Sequence, residues 1–280
     1  RGMRFTKMQG IGNDYIYLDL FELGPIQEQE LPPLARAMSD RHFGVGSDGL
    51  VTIGPAEGYD CRMRMFNLDG SEGEMCGNAL RCVALYMLER RGFSGDVLNV
   101  ITKAGPRSVQ ALRSQDGAVR ALRADMGLPR LEAAAIPTTA PDPARVPVTA
   151  LGKEYRLFCV SMGNPHAVAL VEDPEALDLP VLGPLLECAG VFPQKANIEF
   201  IRLRAGGIDM RVWERGSGET LACGTGACAA AVAAISQGLL PRRPVTLRLR
   251  GGELTIDWDE ASGHVFMEGP AAFVFDGQWP

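Results

Sequence analysis

A chain of 280 residues has room for one large domain or two of ordinary size. Its hydrophobic share of 46% and charged share of 22% are those of an ordinary globular protein, and a net charge of −6 with scattered lysines and arginines argues against a nucleic-acid surface. No run approaches the ~20 apolar residues that span a bilayer, so no membrane association is expected. The start Arg1-Gly2-Met3-Arg4-Phe5 lacks the basic-then-apolar layout of an export signal, which makes the seven cysteines expected reduced thiols of a cytoplasmic protein.

In chain order, the first marked segment is residues 8–18, an apolar stretch interrupted by Gly12-Asn13. Residues 44–49 read Gly-Val-Gly-Ser-Asp-Gly and satisfy Gly-x-Gly-x-x-Gly, but the apolar Leu50-Val-Thr-Ile behind them predicts a strand where a dinucleotide site needs a helix. An alternating strand over 61–66 leads through a Gly/Ser/Glu-rich loop to Cys76-Gly77 and a helix over 78–91, stopped by Gly92. Strands are predicted over 98–103, 108–112 and 119–124, and a Pro-rich surface loop over 136–147. After Gly163-Asn164, a strand over 208–213 again leads through a Gly/Ser/Glu loop to Cys223-Gly224. The Ala-rich helix that follows, 225–237, is stopped by Gly238 and suits burial at a domain centre wrapped by sheet. Strands over 245–250 and 253–258 and one or two more after Val265 complete an α+β pattern without the regular alternation of a doubly wound sheet.

This order contains a repeat. Residues 63–77 overlie residues 210–224 without gaps: Met63 meets Met210, Arg64 meets Arg211, Phe66 meets Trp213, Glu72 meets Glu219, and Cys76-Gly77 meets Cys223-Gly224. Gly12-Asn13 and Gly163-Asn164 echo one another upstream at nearly the same separation. Two matches in one order at nearly one separation indicate two related halves.

The matched cysteines are the chemical centre of the reading. A thiol at the start of a helix meets unpaired N–H groups and the positive end of the helix dipole, which favours the reactive thiolate. The same N–H groups can seat a carboxylate, and glycine beside the thiol lets backbone approach it. Two such thiols on opposite faces of one α-carbon could remove a proton from one side and return one to the other, with the developing charge spreading onto a carboxylate held by both helices. Such chemistry needs no cofactor. Three histidines far apart in sequence and no Cys-x-x-Cys pair give no metal site either. Cys61, Cys82, Cys159, Cys188 and Cys228 lack this context, and Cys82 and Cys228 are expected in the core.

The motifs Lys7-Met-Gln-Gly-Ile-Gly-Asn-Asp, Phe66-Asn-Leu-Asp-Gly-Ser-Glu, Met75-Cys-Gly-Asn, Gly163-Asn-Pro-His-Ala, Asn197-Ile-Glu-Phe, Trp213-Glu-Arg-Gly-Ser-Gly-Glu-Thr and Ala222-Cys-Gly-Thr-Gly together resemble the diaminopimelate epimerase family. The resemblance runs from Phe5 to about Phe275. It implies an α+β fold of two pseudo-symmetric domains, each a strand-rich sheet or barrel wrapped around a central helix. One domain would be residues 1–120 with 268–280, carrying Cys76, and the other residues 121–267, carrying Cys223. It implies an isomerase acting on 2,6-diaminopimelate without a cofactor, converting the LL to the meso form for lysine and peptidoglycan precursors, commonly as a homodimer. Cys76 and Cys223 would be the acid/base pair, Glu214 a substrate contact that tunes the thiols, and His166 a neighbour affecting catalysis. Gly77-Asn78 and Gly224-Thr225 would cradle the reacting carboxylate, while Asn13, Asn67, Asn164, Asn197 and Arg215 hold the rest of the substrate. Gly49 stands where many members carry Gln, and Ala79 where Gly is common. Cys-Gly-Thr-Gly is also similar to proline racemases, so an isomerase of that type is the alternative, with a nucleotide-dependent enzyme behind it.

Overall fold

The computed structural model describes residues 2–280, which form two compact units. One runs to Asp125 and includes Glu268–Pro280; the other is Met126–Met267. Residue 120 lies inside a strand, so the first unit ends at that strand's last residue instead.

The first unit contains β1 (Met3–Gly10), β2 (Asn13–Asp19), α1 (Leu20–Leu23), α2 (Leu31–Ser39), β3 (Gly49–Gly54), β4 (Cys61–Asn67), β5 (Glu72–Gly73), α3 (Gly77–Arg90), β6 (Val97–Thr102), β7 (Gly105–Arg113) and β8 (Val119–Asp125). β1 and β2 are antiparallel, β2 and β3 parallel, β3 and β4 antiparallel, β4 and β6 parallel, and β6 and β7 antiparallel. Each parallel step needs a crossover, and helices supply both: α2 lies between β2 and β3, α3 between β4 and β6. α3 packs against β1, β2, β7 and β8, and its residues 77–87 are buried. α2 covers the other face of the sheet, with Leu31, Ala35 and Met38 packed on Phe5, Ile16, Leu18, Leu50 and Phe66.

The second unit contains β9 (Val146–Ala150), β10 (Lys153–Ser161), β11 (Pro165–Leu170), α4 (Leu179–Glu187), β12 (Asn197–Arg204), β13 (Gly207–Glu214), β14 (Gly218–Glu219), α5 (Gly224–Ser236), β15 (Val245–Leu249) and β16 (Gly252–Trp258). β17 (Val265–Gly269) carries the chain back into the first unit, where β18 (Ala272–Trp279) pairs with β1. From β10 to β16 the pairings run antiparallel, parallel, antiparallel, parallel, antiparallel, the same series as from β1 to β7. α4 and α5 provide the two crossovers. α5 is apolar on every side, so it can only be an interior helix, and residues 226–234 are buried against β10, β11, β12 and β16. Its alanines let the strands come close. The fold is thus the expected α+β arrangement of two like units around central helices.

The repeat has a structural reason beyond ancestry. In each unit a short hairpin projects from the strand before the central helix, β4–β5 and β13–β14. Arg64 grips Glu72 in the first (Nε to Oε1 3.0 Å, Nη2 to Oε2 3.1 Å) and Arg211 grips Glu219 in the second (2.8 and 2.9 Å). These four residues are among those that match between the halves. Each bidentate pair fixes the end of a hairpin whose next few residues reach the cysteine. Both helices form one residue earlier than the glycine stops imply, as Gly77–Arg90 and Gly224–Ser236, with Gly92 and Gly238 at positive φ just beyond.

Candidate active site

Cys76 and Cys223 are the N-cap residues of α3 and α5. Both have extended backbones, with φ of −131° and −133°. The hairpin delivers the chain to the helix in this geometry, so each sulfur sits beside the first turn, with Gly77 or Gly224 as the first helical residue.

In the first unit Cys76 Sγ donates to Asn13 Oδ1 at 3.1 Å, and Asn78 Nδ2 donates to the same oxygen at 3.2 Å. Asn13 Nδ2 donates to Asp48 Oδ2 at 2.6 Å, which fixes the amide's orientation. Burial holds the Asp48 carboxyl above the usual carboxylate range. Asn78 is buried and accepts from Arg81 Nη2 at 2.8 Å; Arg81, fully buried, also donates through Nε to Pro270 O at 3.1 Å. Asn13, Cys76, Gly77 and Asn78 therefore form one cluster, and Arg81 and Asp48 anchor its two ends. Tyr15 is buried beside Cys76, and burial first, then the sulfur, pushes its hydroxyl well above the ordinary range. Asn67 lies at the same end of the sheet, since β2, β3 and β4 align Tyr15, Gly49 and Asn67, but its amide donates to Ser71 Oγ at 3.1 Å. A Cβ at Gly49 would stand 2.2 Å from Phe66 O, so this backbone admits no side chain there.

In the second unit Cys223 Sγ accepts from Gly226 N at 3.3 Å and lies 3.7 Å from Thr225 Oγ1. Asn164 Nδ2 donates to Thr225 Oγ1 at 3.3 Å, and Asn164 Oδ1 meets His166 Nε2 at 2.9 Å. His166 Nδ1 meets Glu199 Oε1 at 2.6 Å, both side chains being wholly buried. Asn197 sits opposite His166 across β11 and β12, donates to Pro165 O and accepts from Arg215 N at 2.7 Å. Glu214, at the end of β13, accepts from Thr220 Oγ1. The Arg215 guanidinium donates to Gln194 O at 3.1 Å. The second cluster thus joins Asn164, His166, Cys223, Gly224 and Thr225, with Asn197, Glu214 and Arg215 around its edge.

The helix end alone would make Cys223 acidic, but burial outweighs it. The thiol is pushed well above its ordinary value by burial, and then by the Glu214 and Glu199 carboxyls; the Gly226 N–H only partly opposes this. Burial thus favours the thiol form of Cys223. The other cysteines divide as expected. Cys82 and Cys228 are core residues; burial pushes Cys82 up to about 11, and Cys61 and Cys159 up to about 12. Cys188 is exposed.

Sequence reasoning assigned no role to Tyr15, Asp48, Arg81, Glu199 or Gly226. Two of them carried a signal: Arg81 is a charge on the buried face of a small-residue helix, and Glu199 a charge inside the apolar strand Ile198 to Ile201. Among the described residues no group of three or more His, Cys, Asp or Glu side chains could hold a metal ion, and no helix is long and apolar enough to cross a membrane. Gly49 opens β3, so a strand follows the Gly-x-Gly-x-x-Gly segment and a dinucleotide would meet no helix N-terminus there.

The family model for diaminopimelate epimerase matches residues 5–131 and 158–274. A diaminopimelate epimerase of Pelotomaculum thermopropionicum is 50% identical over 282 residues, covering 99% of both chains, and one of Methanococcus maripaludis is 46% identical, again covering 99% of both. Among solved structures, a predicted epimerase of Pseudomonas aeruginosa superposes with a TM-score of 0.69 at 18% identity, covering 99% of this chain and 98% of that one. A probable proline racemase of Agrobacterium radiobacter gives 0.71 at 16%, covering 99% and 93%. At such identities the last two speak for the fold alone. With matched N-cap cysteines in two units of one topology and relatives at about half identity over its whole length, this chain belongs to the diaminopimelate epimerase family.

Proposed function

We propose that this protein is a cofactor-independent epimerase that interconverts LL- and meso-2,6-diaminopimelate, with Cys76 and Cys223 as its two bases. The observation that carries the reading is the pair of sulfurs at equivalent N-cap positions of the two central helices. Each is equipped for one half of a proton exchange.

One sulfur, as thiolate, takes the α-proton and becomes a thiol. The electron pair left on carbon spreads into the α-carboxylate, which the first-turn N–H groups around Gly77-Asn78 and Gly224-Thr225 stabilise. The other sulfur, a thiol, gives its proton to the opposite face and becomes the thiolate. Atoms and charge balance, and the enzyme ends in the mirror protonation state, ready for the reverse direction. Cys76 donates its S–H to Asn13, and burial favours the thiol at Cys223. One thiol must therefore lose a proton to solvent before turnover, and rate should rise with pH through that ionisation and fall when the second thiol is lost. Asn13, Asn67, Asn164 and Asn197 offer donors and acceptors without net charge to a doubly zwitterionic substrate, and Arg215 can exchange Gln194 O for its distal carboxylate. Glu214 raises the Cys223 thiol directly, and His166 reaches that sulfur through Asn164 and Thr225. The relatives' shared name supports diaminopimelate as substrate, and with it a place in making lysine and peptidoglycan precursors in the cytoplasm. A homodimer completes the proposal, and light scattering on the purified protein tests it.

The test of function is chiral separation of diaminopimelate after incubation with metal-free, cofactor-free protein. LL substrate should yield the meso form, and Cys76→Ser and Cys223→Ser should each abolish this. No meso product, or conversion of proline instead, would sink the assignment.

A further inference from the structure

Both ring nitrogens of His166 face oxygen: Nδ1 meets Glu199 Oε1 at 2.6 Å, and Nε2 meets Asn164 Oδ1 at 2.9 Å. With the Asn164 amide turned so that Nδ2 donates to Thr225 Oγ1 and Oδ1 faces the ring, Nε2 carries a hydrogen, since an amide oxygen cannot donate. A neutral imidazole then has none left for Nδ1, and the 2.6 Å contact needs a proton of its own. It comes either from a Glu199 carboxylic acid donating to Nδ1 or from an imidazolium donating to a carboxylate. We infer that Glu199 and His166 hold one buried proton between them, and that this proton sets the direction of a hydrogen-bond relay ending on the Cys223 sulfur. The inference deepens the proposed function, in which Cys223 is one of the two bases, and it makes Glu199 a positioning residue.

The relay reads outward from the pair. With the proton present, His166 Nε2–H donates to Asn164 Oδ1, and Asn164 Nδ2–H donates to Thr225 Oγ1. The Thr225 hydroxyl has its lone pair occupied and its hydrogen free to point at Cys223 Sγ, 3.7 Å away. The sulfur then has two donors, Thr225 O–H and Gly226 N–H, a setting that accepts a thiolate. When the proton leaves to solvent, the neutral ring keeps its hydrogen on Nδ1 for the carboxylate, and Nε2 becomes an acceptor. The Asn164 amide turns over, the Thr225 hydroxyl donates back to it, and Cys223 is left facing an oxygen lone pair and a second negative charge. That setting keeps the thiol. Loss of the pair's proton and ionisation of Cys223 thus oppose one another.

Three further observations agree. Glu199 Oε2 is buried with no hydrogen-bond partner among the described residues, a smaller cost for the carbonyl oxygen of a neutral acid than for a carboxylate. The titratable groups facing Glu199 are His166 on β11, Cys159 on β10, Glu214 on β13 and Cys223 at the head of α5. Only His166 can bring a positive charge. Burial pushes the Glu199 carboxyl up to about 7, with His166 opposing and Glu214 adding to the rise. Gly226 makes the contact possible, because a Cβ there would lie 2.7 Å from Glu199 Oε1.

Two measurements test this without using epimerisation. In the wild-type protein at pH 6, below the Glu199 value, ¹⁵N chemical shifts of the His166 ring should show hydrogen on Nε2; a bare Nε2 with hydrogen on Nδ1 alone overturns the inference. In Glu199→Gln, an isostere of the neutral acid that cannot ionise, the relay is locked toward the sulfur. Iodoacetamide labelling of Cys223, followed by mass spectrometry of its peptide across pH 6 to 10, should then move to lower pH. A thiol whose midpoint falls by about one pH unit should label about tenfold faster at pH 7. An unchanged profile in a folded Glu199→Gln protein overturns the inference. If that variant fails to fold, the ¹⁵N experiment alone decides. Should both succeed while no diaminopimelate isomer is converted, the proposed function fails and the relay stands; the opposite pair of outcomes removes only the relay.

Discussion

Gly226→Ala places the smallest possible probe between Glu199 on β12 and Cys223 at the head of α5. Its Cβ would lie 2.7 Å from Glu199 Oε1, 3.1 Å from Cys223 Sγ and 3.3 Å from Glu199 Cδ. Ordinary contact begins near 3.4 Å, so the carboxyl must retreat by more than half an ångström, and Glu199 is wholly buried with nowhere to swing. Overpacking of this kind costs about 1–3 kcal/mol. Alanine returns about 1 kcal/mol of helix propensity, leaving a net loss of ~0–2 kcal/mol. At about 2–4 °C per kcal/mol for domains of 150–250 residues, the melting temperature should fall by no more than ~8 °C. Epimerisation should suffer far more, by about 100-fold, since the displaced atoms are the sulfur and the carboxyl behind His166. Melting by circular dichroism and kcat by chiral chromatography read the two effects separately. Gly190→Ala, where a Cβ meets nothing within 4 Å, is the control and should change neither. A Gly226→Ala protein with wild-type kcat would refute the account of this packing.

Arg81→Leu should remove a buried donor from Asn78 Oδ1 and Pro270 O, leaving two acceptors unsatisfied at about 1–3 kcal/mol each, so a fall in urea midpoint with a loss of activity is expected. Arg211→Ala should leave Glu219 to Arg250 alone (Nε to Oε1 3.2 Å), strip a donor from Pro174 O and Leu177 O, and loosen the β13–β14 hairpin, lowering both kcat and the melting temperature; a wild-type kcat would contradict the hairpin's positioning role. Because Glu199 has its folded-state pKa raised to about 7, its contribution to stability is complete below the unfolded-chain value near 4.5 and is lost as pH rises through 7. The melting temperature of Glu199→Gln should therefore gain on that of wild type between pH 5 and 8, and a pH-independent difference would contradict the raised value.

The parts of this molecule that were readable in its sequence are those in which local signals agree. Cys-Gly followed by a small-residue helix and a stopping glycine needs no tertiary knowledge, and Arg64, Glu72, Arg211 and Glu219 match because both hairpins need the same bidentate clamp. What stayed hidden depends on distant partners or mixed signals. α2 begins Leu31-Pro-Pro and α4 carries Pro184 inside it, so both helices read as broken chain until packing on the sheet holds them. Arg81 is intelligible only once β18 approaches and Pro270 supplies a carbonyl. Glu199 looks like an error in an apolar strand until His166 arrives from the neighbouring strand. The acidity of Cys223 also escaped the sequence, because the helix end was visible and the degree of burial was not.

The central claim is that two different sulfurs handle the departing and arriving protons. Epimerisation of unlabelled LL-diaminopimelate in deuterated water, stopped at a few per cent conversion and read by mass spectrometry, tests it most directly. The account predicts meso product carrying one α-deuterium while the recovered substrate remains unlabelled. Product that retains the original hydrogen, returned by a single base, would contradict it.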